Sequence, residues 1–294
     1  MIVPQAVVSL LGEDTFMTEE PPSWRDVNRA NWDERVTVHL DPAGYDLGTL
    51  RSGSGRFNPI EEADLPPVAG KRIAHLQCHF GVDTLKLLHR GAAEVIGLDF
   101  SPLAVEAARK LAAELNLADS ARFVEADLYD ALTAIPRPHD FDMVFVTWGA
   151  LPWLPDIHGW ARIVANLLRP GGCLYLAEGH PVAYVFDDEA RASDGRPGLF
   201  VPYFQREPVI YTDPTDYANP HARLQNATSY SWMHPLGELI TSLIDAGLAI
   251  ERLREHDAIT WPMFKVLAKG ADGLHRWPDK PWLPLSFTLV AKRR

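Results

Sequence analysis

The chain has 294 residues, of which 47% are hydrophobic and 23% charged, an ordinary balance for a globular protein with a sizeable core. Asp and Glu outnumber Lys and Arg by 39 to 28, and the formal net charge is -11. This balance argues against nucleic acid as a main partner, because phosphate binding relies on clustered basic residues. The two cysteines, Cys78 and Cys173, have no metal-ligand spacing, so we expect no metal site and a reducing, cytoplasmic location. We expect no membrane partner either, because no stretch of about 18 apolar residues is present.

The amino-terminal part is predicted to consist of a flexible leader, residues 1–23, and a helical lid, residues 24–58. Val27, Trp32 and Val36 recur at roughly helical intervals between residues 24 and 40, which indicates one helix or two short ones. Residues 51–58 are rich in Gly and Ser and indicate a turn-rich connector. We expect Trp32 to lie over a bound cofactor.

From Gly70 onward, short apolar runs alternate with helical stretches, which is typical of a mostly parallel sheet with helical crossovers. The pattern predicts a doubly wound α/β domain over residues 24–294, interrupted by an insertion at 181–231 that we expect to cap the substrate. Helices are predicted at 82–90, 102–115, 156–168 and 234–247. Strands are predicted at 72–76, 94–99, 122–126, 141–148, 173–178, 249–256 and 285–292.

The residues just after each strand are the candidate site, because ligands of doubly wound sheets lie beyond the carboxyl ends of the central strands. The first strand is followed by a loop that ends in Gly81, where the backbone can approach a ligand closely. Asp99 ends the second strand, where a carboxylate can accept hydrogen bonds from two ribose hydroxyls. Asp127 follows the third strand and is a candidate partner for an adenine amino group. Thr147 ends the fourth strand, and His180 follows the fifth.

These strand ends resemble those of the class I S-adenosylmethionine-dependent methyltransferases. The resemblance rests on Asp99 at the ribose position, Asp127 at the adenine position and Pro-Gly-Gly at 170–172 before the fifth strand. In that family the first loop reads as an acidic residue followed by alternating glycines. Here the run His-Leu-Gln-Cys-His-Phe-Gly at 75–81 keeps only the last glycine, and it lacks the acidic residue that would face the methionine amino group.

A narrower likeness is to a bacterial, small-molecule-type subgroup whose first loop reads Leu-Gln-Cys-His-Phe-Gly, as residues 76–81 do here. It extends from Asn28 to Lys292 and includes Trp-Leu-Pro-Asp at 153–156, Glu-Gly-His-Pro at 178–181 and His-Pro-Leu-Gly-Glu at 234–238.

The resemblance implies a Rossmann-like, seven-stranded sheet with its last strand antiparallel, and S-adenosylmethionine as the cofactor. It implies methyl transfer to an O or N nucleophile, and the aromatic content of the insertion favours a small, partly apolar acceptor. We expect a monomer or homodimer. The predicted cofactor-binding residues are Trp32, Gln77, His79, Gly81, Asp99, Phe100, Ser101, Asp127, Leu128 and Thr147.

For the acceptor, His180 is a candidate general base, because it follows a sheet strand where an acceptor would lie. Aromatic residues are candidates for the acceptor pocket: Trp148, Tyr184, Tyr203, Tyr230 and Trp232. Each assignment has a plainer alternative. The carboxylates can be turn or surface residues, Gly81 a simple helix-start glycine, His79 a packed side chain, His180 a residue that shapes the chain, and the aromatics ordinary packing.

Three other function classes compete with this interpretation. An NAD(P)-dependent oxidoreductase shares the sheet and the ribose-binding acid, but it normally requires Gly-x-Gly-x-x-Gly, which residues 77–82 do not supply. A non-catalytic S-adenosylmethionine-binding protein would show no methyl transfer. A methyltransferase acting on RNA or protein would keep the chemistry, although the acidic balance counts against RNA.

Overall fold

The computed structural model describes residues 22–188, 190–193, 195–219 and 221–294. Of the predicted leader, only Pro22 and Ser23 fall within these ranges. Within them no helix is both long and apolar enough to cross a membrane. The helices are α1 Trp24–Leu40, α2 Gly48–Arg51, α3 Pro59–Asp64, α4 Val82–His89, α5 Pro102–Glu114, α6 Ala131–Ala134, α7 Ile157–Leu167 and α8 Leu236–Asp245.

Seven strands form the main sheet: β1 Arg72–Leu76, β2 Glu94–Asp99, β3 Ala121–Glu125, β4 Phe141–Thr147, β5 Leu168–Gly179, β6 Leu248–His256 and β7 Ser286–Arg293. Their spatial order is β6-β7-β5-β4-β1-β2-β3. Only β7 runs antiparallel to its neighbours in this sheet, β5 and β6, so the predicted doubly wound fold with an antiparallel last strand is confirmed. Predicted and observed boundaries of these strands agree within one or two residues, except that β5 begins five residues earlier.

Both faces of the sheet are covered, which is why its central strands are apolar throughout rather than alternating. All five residues of β1 are buried, as are six of the seven in β4. Trp160 of α7 is fully buried against one face of the sheet, together with residues of α8. On the other face, Phe145 packs with apolar residues of α4 and α5. This packing fixes the carboxyl ends of the parallel strands at one edge.

Two connections add smaller sheets at that edge. No helix or strand was predicted in the 181–231 insertion. It contains two pairs of short strands, Phe186–Asp187 with Gly198–Leu199 and Val209–Thr212 with Thr228–Ser231. The connection between β6 and β7 contains a three-stranded sheet in which His275–Arg276 lies between Ala258–Ile259 and Ala268–Lys269. Because β6 runs parallel to β5, this connection begins at the same edge as the loops after β1 to β5.

Candidate functional site

A cavity of about 760 Å³ lies at the carboxyl ends of the parallel strands. This volume is within the usual range for sites that enclose small molecules and cofactors. The predicted cofactor residues other than Ser101 line the cavity, and so does Trp148. Those residues are Trp32, Gln77, His79, Gly81, Asp99, Phe100, Asp127, Leu128 and Thr147.

In the loop after β1, every second residue from 77 to 81 has a left-handed backbone conformation, although only one of these three residues is glycine. The φ angles are 54° at Gln77, 50° at His79 and 78° at Gly81. A left-handed non-glycine residue costs about 1–2 kcal/mol, so this conformation requires support from the surrounding structure. At Gly81 a side chain is also excluded by space, because an added Cβ would lie 2.6 Å from a ring carbon of Phe123.

Side-chain contacts hold both non-glycine residues in place. Gln77 Nε2 donates to the Ala150 carbonyl at 2.8 Å, which ties the first loop to the loop after β4. His79 Nε2 shares a hydrogen bond of 2.8 Å with His39 Nδ1 on α1, and His39 Nε2–H donates to Asp216 at 3.1 Å. The first loop is thereby joined to the amino-terminal helix and to the 181–231 insertion.

Within this series of contacts, Asp216 is ionised and His79 is hard to protonate. Burial raises the pKa of Asp216, but the hydrogen bonds from His39 and the Ala218 N–H, and the Arg35 guanidinium whose Nη1 lies 2.7 Å from the carboxylate, outweigh it and lower that pKa to about 2. Burial, followed by the proximity of His39, lowers the pKa of His79 well below its usual value. His79 is therefore neutral near pH 7.

Asp99, at the end of β2, is a buried carboxylate held by backbone donors. One oxygen accepts from the His79 N–H at 2.7 Å and the other from the Ser101 N–H at 3.0 Å. Burial raises the pKa of Asp99 to about 6, against the opposing effect of these hydrogen bonds. A carboxylate offers about four acceptor positions, so each oxygen can still accept a hydrogen bond from a ligand.

Asp127, after β3, lines the cavity and binds α1. One carboxylate oxygen accepts from the Tyr129 N–H at 2.8 Å, and the other accepts from Arg25 Nε at 2.8 Å. The Arg25 guanidinium also lies over the Trp24 ring, 4.5 Å from its centroid. Asp127 therefore lines the same cavity as Asp99, and its contact with Arg25 was not predicted.

The loop after β4 is shaped by a buried carboxylate on β5. Glu178 accepts hydrogen bonds from the N–H groups of Gly149, Ala150 and Leu151 at 2.6–3.1 Å. Trp148, just before these residues, adopts a left-handed φ of 47° and faces Trp261 with ring centroids 5.9 Å apart. Glu178 therefore has a structural role that presents Trp148 to the cavity.

Helix α1 forms one wall of the cavity, and Trp32 lies in this wall. The Asn28 side chain donates to the Tyr230 carbonyl at 2.9 Å and accepts from the Tyr230 N–H at 2.8 Å. It thus binds the edge of the Val209–Thr212 and Thr228–Ser231 hairpin. The Trp32 ring packs edge-on against His79, with centroids 5.3 Å apart.

Four of the residues predicted for the site do not line the cavity and make other contacts. His180 is buried and does not line this cavity; its Nδ1 accepts from the Val182 N–H at 3.1 Å, and its Nε2 lies 2.9 Å from Glu255 Oε1. These contacts make it a residue that shapes the start of the insertion and do not support a general base. Ser101 caps α5, the Tyr203 hydroxyl accepts from the first N–H of α8, and Tyr230 is engaged through its backbone.

Tyr184 and Trp232 line a second cavity of about 270 Å³. This cavity shares Gly149, Trp153 and Trp261 with the larger one and lies beside it. Most of the insertion residues that line a cavity therefore belong to this smaller one. The larger cavity is covered by α1, by Tyr217 and Ala218 of the insertion and by the β6–β7 connection.

Sequence reasoning missed the cavity residues that come from distant connections. They carry no local motif, since they reach the cavity only through long-range packing. They include Arg35, Tyr45, Tyr217, Thr260, Trp261, Lys269 and His275. Among the described residues no cluster of three or more His, Cys, Asp or Glu side chains is arranged to hold a metal ion.

The central segment of the chain is similar in sequence to known methyltransferases. Residues 73–172, from β1 into β5, match the family model described as "Methyltransferase domain". The ribosomal protein L11 methyltransferase of Aeromonas hydrophila is 35% identical over 99 residues, which are 33% of this chain and 32% of the relative. The matched segment therefore spans about a third of that relative's length.

Solved structures extend the likeness to most of the chain. An S-adenosylmethionine-dependent methyltransferase from Mesorhizobium loti superposes with a TM-score of 0.56 at 22% identity, covering 83% of this chain and 100% of that one. A methyltransferase of the same description from Methanosarcina mazei gives 0.51 at 17% identity, covering 81% and 98%. The chain thus has the fold of the S-adenosylmethionine-dependent methyltransferases, and its central segment is similar in sequence to a methyltransferase domain.

Proposed function

We propose that this protein transfers a methyl group from S-adenosylmethionine to an O or N nucleophile of a small, partly apolar molecule. The observation that carries the proposal is Asp99, a buried carboxylate beside a left-handed, glycine-ended loop in a cavity of about 760 Å³. The similarity of residues 73–172 to a methyltransferase domain supports the same chemistry.

The residues present fit the nucleoside of this cofactor. Asp99 keeps one acceptor position on each oxygen for the two ribose hydroxyls, and such donors would offset the burial that raises its pKa. Gly81 lines the cavity without a side chain, and Asp127, which lines the same cavity, would accept a hydrogen bond from the adenine amino group. When bound, the cofactor supplies an electrophilic methyl group on a sulfonium.

This chain's own residues would position the acceptor and exclude water. Trp148, Trp153 and Trp261 line the cavity and give it apolar walls. Because an activated methyl donor reacts with a correctly oriented nucleophile, holding the two reactants in line supplies much of the acceleration.

A protein acceptor is the second candidate, favoured by the name of the Aeromonas hydrophila relative. That similarity is confined to about a third of each chain. A small acceptor is favoured by the cover that α1 and the β6–β7 connection place over the cavity. Incubation of a metabolite extract or purified ribosomal protein with an isotopically labelled methyl donor separates the two, since the label would enter either a small product or a polypeptide.

Binding of S-adenosylhomocysteine, measured by calorimetry, tests the cofactor directly. We expect one site per chain, no binding of reduced nicotinamide nucleotides, and a loss of affinity of about tenfold or more in Asp99→Ala, because two charge-assisted hydrogen bonds disappear. Unchanged affinity in that variant would refute the ribose assignment. Binding without any methyl transfer to extract or protein would instead favour a non-catalytic binding protein.

A further inference from the structure

The cavity continues beyond the loop after β4 into a region built by the β6–β7 connection. Thr260, Trp261, Lys269 and His275 line it there, at the opposite end of the sheet order from β2 and β3, which carry Asp99 and Asp127. The nucleoside side and this region are therefore separated by the loops after β1 and β4. The residues of this region are free to contact a second molecule.

Lys269 and His275 are direct cross-strand neighbours in the small antiparallel sheet. Paired residues in such a sheet project from the same face with Cβ atoms about 5 Å apart, so the two side chains can contact different polar groups of one ligand. Lys269 is a cation with no ion-pair partner among the described residues, whereas the adjacent Arg276 is paired with Asp272 at 2.8 Å.

His275 is buried, and its Nδ1 has no hydrogen-bond partner among the residues that the structure describes. Burying a polar atom without a partner costs free energy, which a ligand in the cavity can restore. Burial and the nearby Lys269 charge lower the pKa of His275, against the effect of a hydrogen bond with the Ile259 backbone. In the neutral tautomer that is protonated at Nε2, Nδ1 carries a free lone pair and can accept a proton.

We propose that this region binds an aromatic hydroxy acid as the methyl acceptor, with Lys269 contacting its carboxylate and His275 Nδ1 accepting the proton of its hydroxyl. Trp148 and Trp261, whose rings meet edge-on, provide the walls for the aromatic ring. The inference rests on the proposed function and adds an acceptor class and a base to it.

The chemical step balances without another reactant. The hydroxyl oxygen forms a bond to the methyl carbon while the carbon–sulfur bond breaks, and the bonding electron pair stays on sulfur as the sulfonium becomes a neutral thioether. The hydroxyl proton passes to His275 Nδ1 and is released to water after the product leaves.

The test uses the full chain with saturating S-adenosylhomocysteine and a panel of hydroxybenzoates, hydroxycinnamates and hydroxyindole carboxylates, each paired with its neutral carboxamide. Calorimetry should find at least one acid that binds about tenfold or more tightly than its amide, because only the acid forms an ion pair with Lys269. No acid binding more tightly than its amide would overturn the proposal.

Lys269→Met should remove the preference for the acid and leave the affinity for its amide and for S-adenosylhomocysteine unchanged. Lys265→Met is the matched control, since Lys265 is an exposed lysine of the same segment that does not line the cavity. A preference that persists in Lys269→Met would overturn the assignment. Weaker S-adenosylhomocysteine binding in that variant would show that Lys269 serves the cofactor, and would overturn it as well.

His275→Asn places an amide near the position of Nδ1 but removes the basic nitrogen. With the preferred acid and the labelled methyl donor, kcat should fall about a hundredfold or more, while the Kd of the acid measured by calorimetry changes little. An unchanged kcat, or an acid that binds and is not methylated by the wild-type protein, would overturn the role of His275. Intact S-adenosylhomocysteine binding in all variants keeps these outcomes separate from failure of the proposed function.

Discussion

At the scale of single residues, the site depends on a carboxylate in an environment that disfavours its charge. Asp99 is buried, and its pKa of about 6 lies above the ordinary value of 3.8. The folded protein therefore binds a proton at Asp99 more tightly than the unfolded chain does. In the unliganded protein this group adds stability as the pH falls from about 6 toward 3.8, and the contribution is lost as the pH rises through 6.

The same protonation should weaken cofactor binding. Between pH 7.5 and 5 the affinity for S-adenosylhomocysteine should fall, approaching about tenfold per pH unit below 6, because a protonated Asp99 has one acceptor oxygen fewer for the ribose. Calorimetry across this range measures the effect. Asp99→Asn is the control and should bind weakly with little pH dependence; an equally steep slope in that variant would assign the titration to another group.

Gly81 should tolerate no side chain. Gly81→Ala should lower the free energy of unfolding by about 2 kcal/mol or more, because the left-handed backbone is strained and the new Cβ meets the Phe123 ring. Gly53→Ala is a matched control, with a φ of +80° and no atom within 4 Å of the added Cβ, and should cost only about 1 kcal/mol. Denaturant unfolding of both variants decides, and equal losses would rule out the contact with Phe123.

Asp99, Asp127 and Gly81 could be predicted to line the cavity because each lies at or shortly after the end of a strand whose apolar run is visible in the sequence. Lys269 and His275 could not, since they belong to two-residue strands paired across a long connection. His180 also comes directly after a strand, but its ring is engaged by the Val182 N–H and by Glu255. The end of a strand can be recognised from the local sequence, whereas the residues that a side chain contacts depend on how the whole chain folds.

At the scale of elements, α1 acts as a wall whose position depends on contacts with distant segments. Its residues line the cavity. Asn28 joins it to the Thr228–Ser231 strand, Arg25 joins it to Asp127, and His39 joins it to the first loop. The helical periodicity of residues 24–40 predicted this element, and the single helix Trp24–Leu40 agrees with it. Its partners could not be predicted, because they lie about 40 to 200 residues away along the chain.

Breaking the contact at Asn28 should loosen α1. Asn28→Ala removes two hydrogen bonds to the Tyr230 backbone and leaves buried backbone groups unpaired, so we expect faster hydrogen exchange across residues 24–40 and severalfold weaker S-adenosylhomocysteine binding. Asn166→Ala is the control, because that side chain is exposed on α7 and bonds only within its own helix. Equal exchange in the two variants would contradict the role of Asn28.

At the scale of the whole molecule, the cavity collects residues from most of the chain at one edge of the sheet. Its lining begins at Trp24 and ends at His275. The alternation of strands and helices predicted the sheet, and β3 differs from its predicted range by one residue. The cover of the cavity was predicted from the amino-terminal lid and the 181–231 insertion, but part of it comes from the β6–β7 connection.

A ligand that contacts so many segments should stabilise the entire fold. At about 100 times its Kd, S-adenosylhomocysteine should contribute roughly 2.7 kcal/mol, which for a chain of this size corresponds to a rise in Tm of about 5 °C. Reduced nicotinamide nucleotide at the same concentration should give no shift. Scanning calorimetry measures both, and a shift with the nicotinamide alone would contradict the methyltransferase interpretation.

The histidine at position 79 makes the conformation of the first loop dependent on α1. A glycine could hold a left-handed backbone unaided, but here the conformation is supported by a ring contact with His39 on α1. If the proposed cofactor binds beside Asp99, a movement of α1 away from the first loop would break this contact and remove the support of the turn next to the sugar. Opening of the cavity and weaker binding of the nucleoside would then occur together.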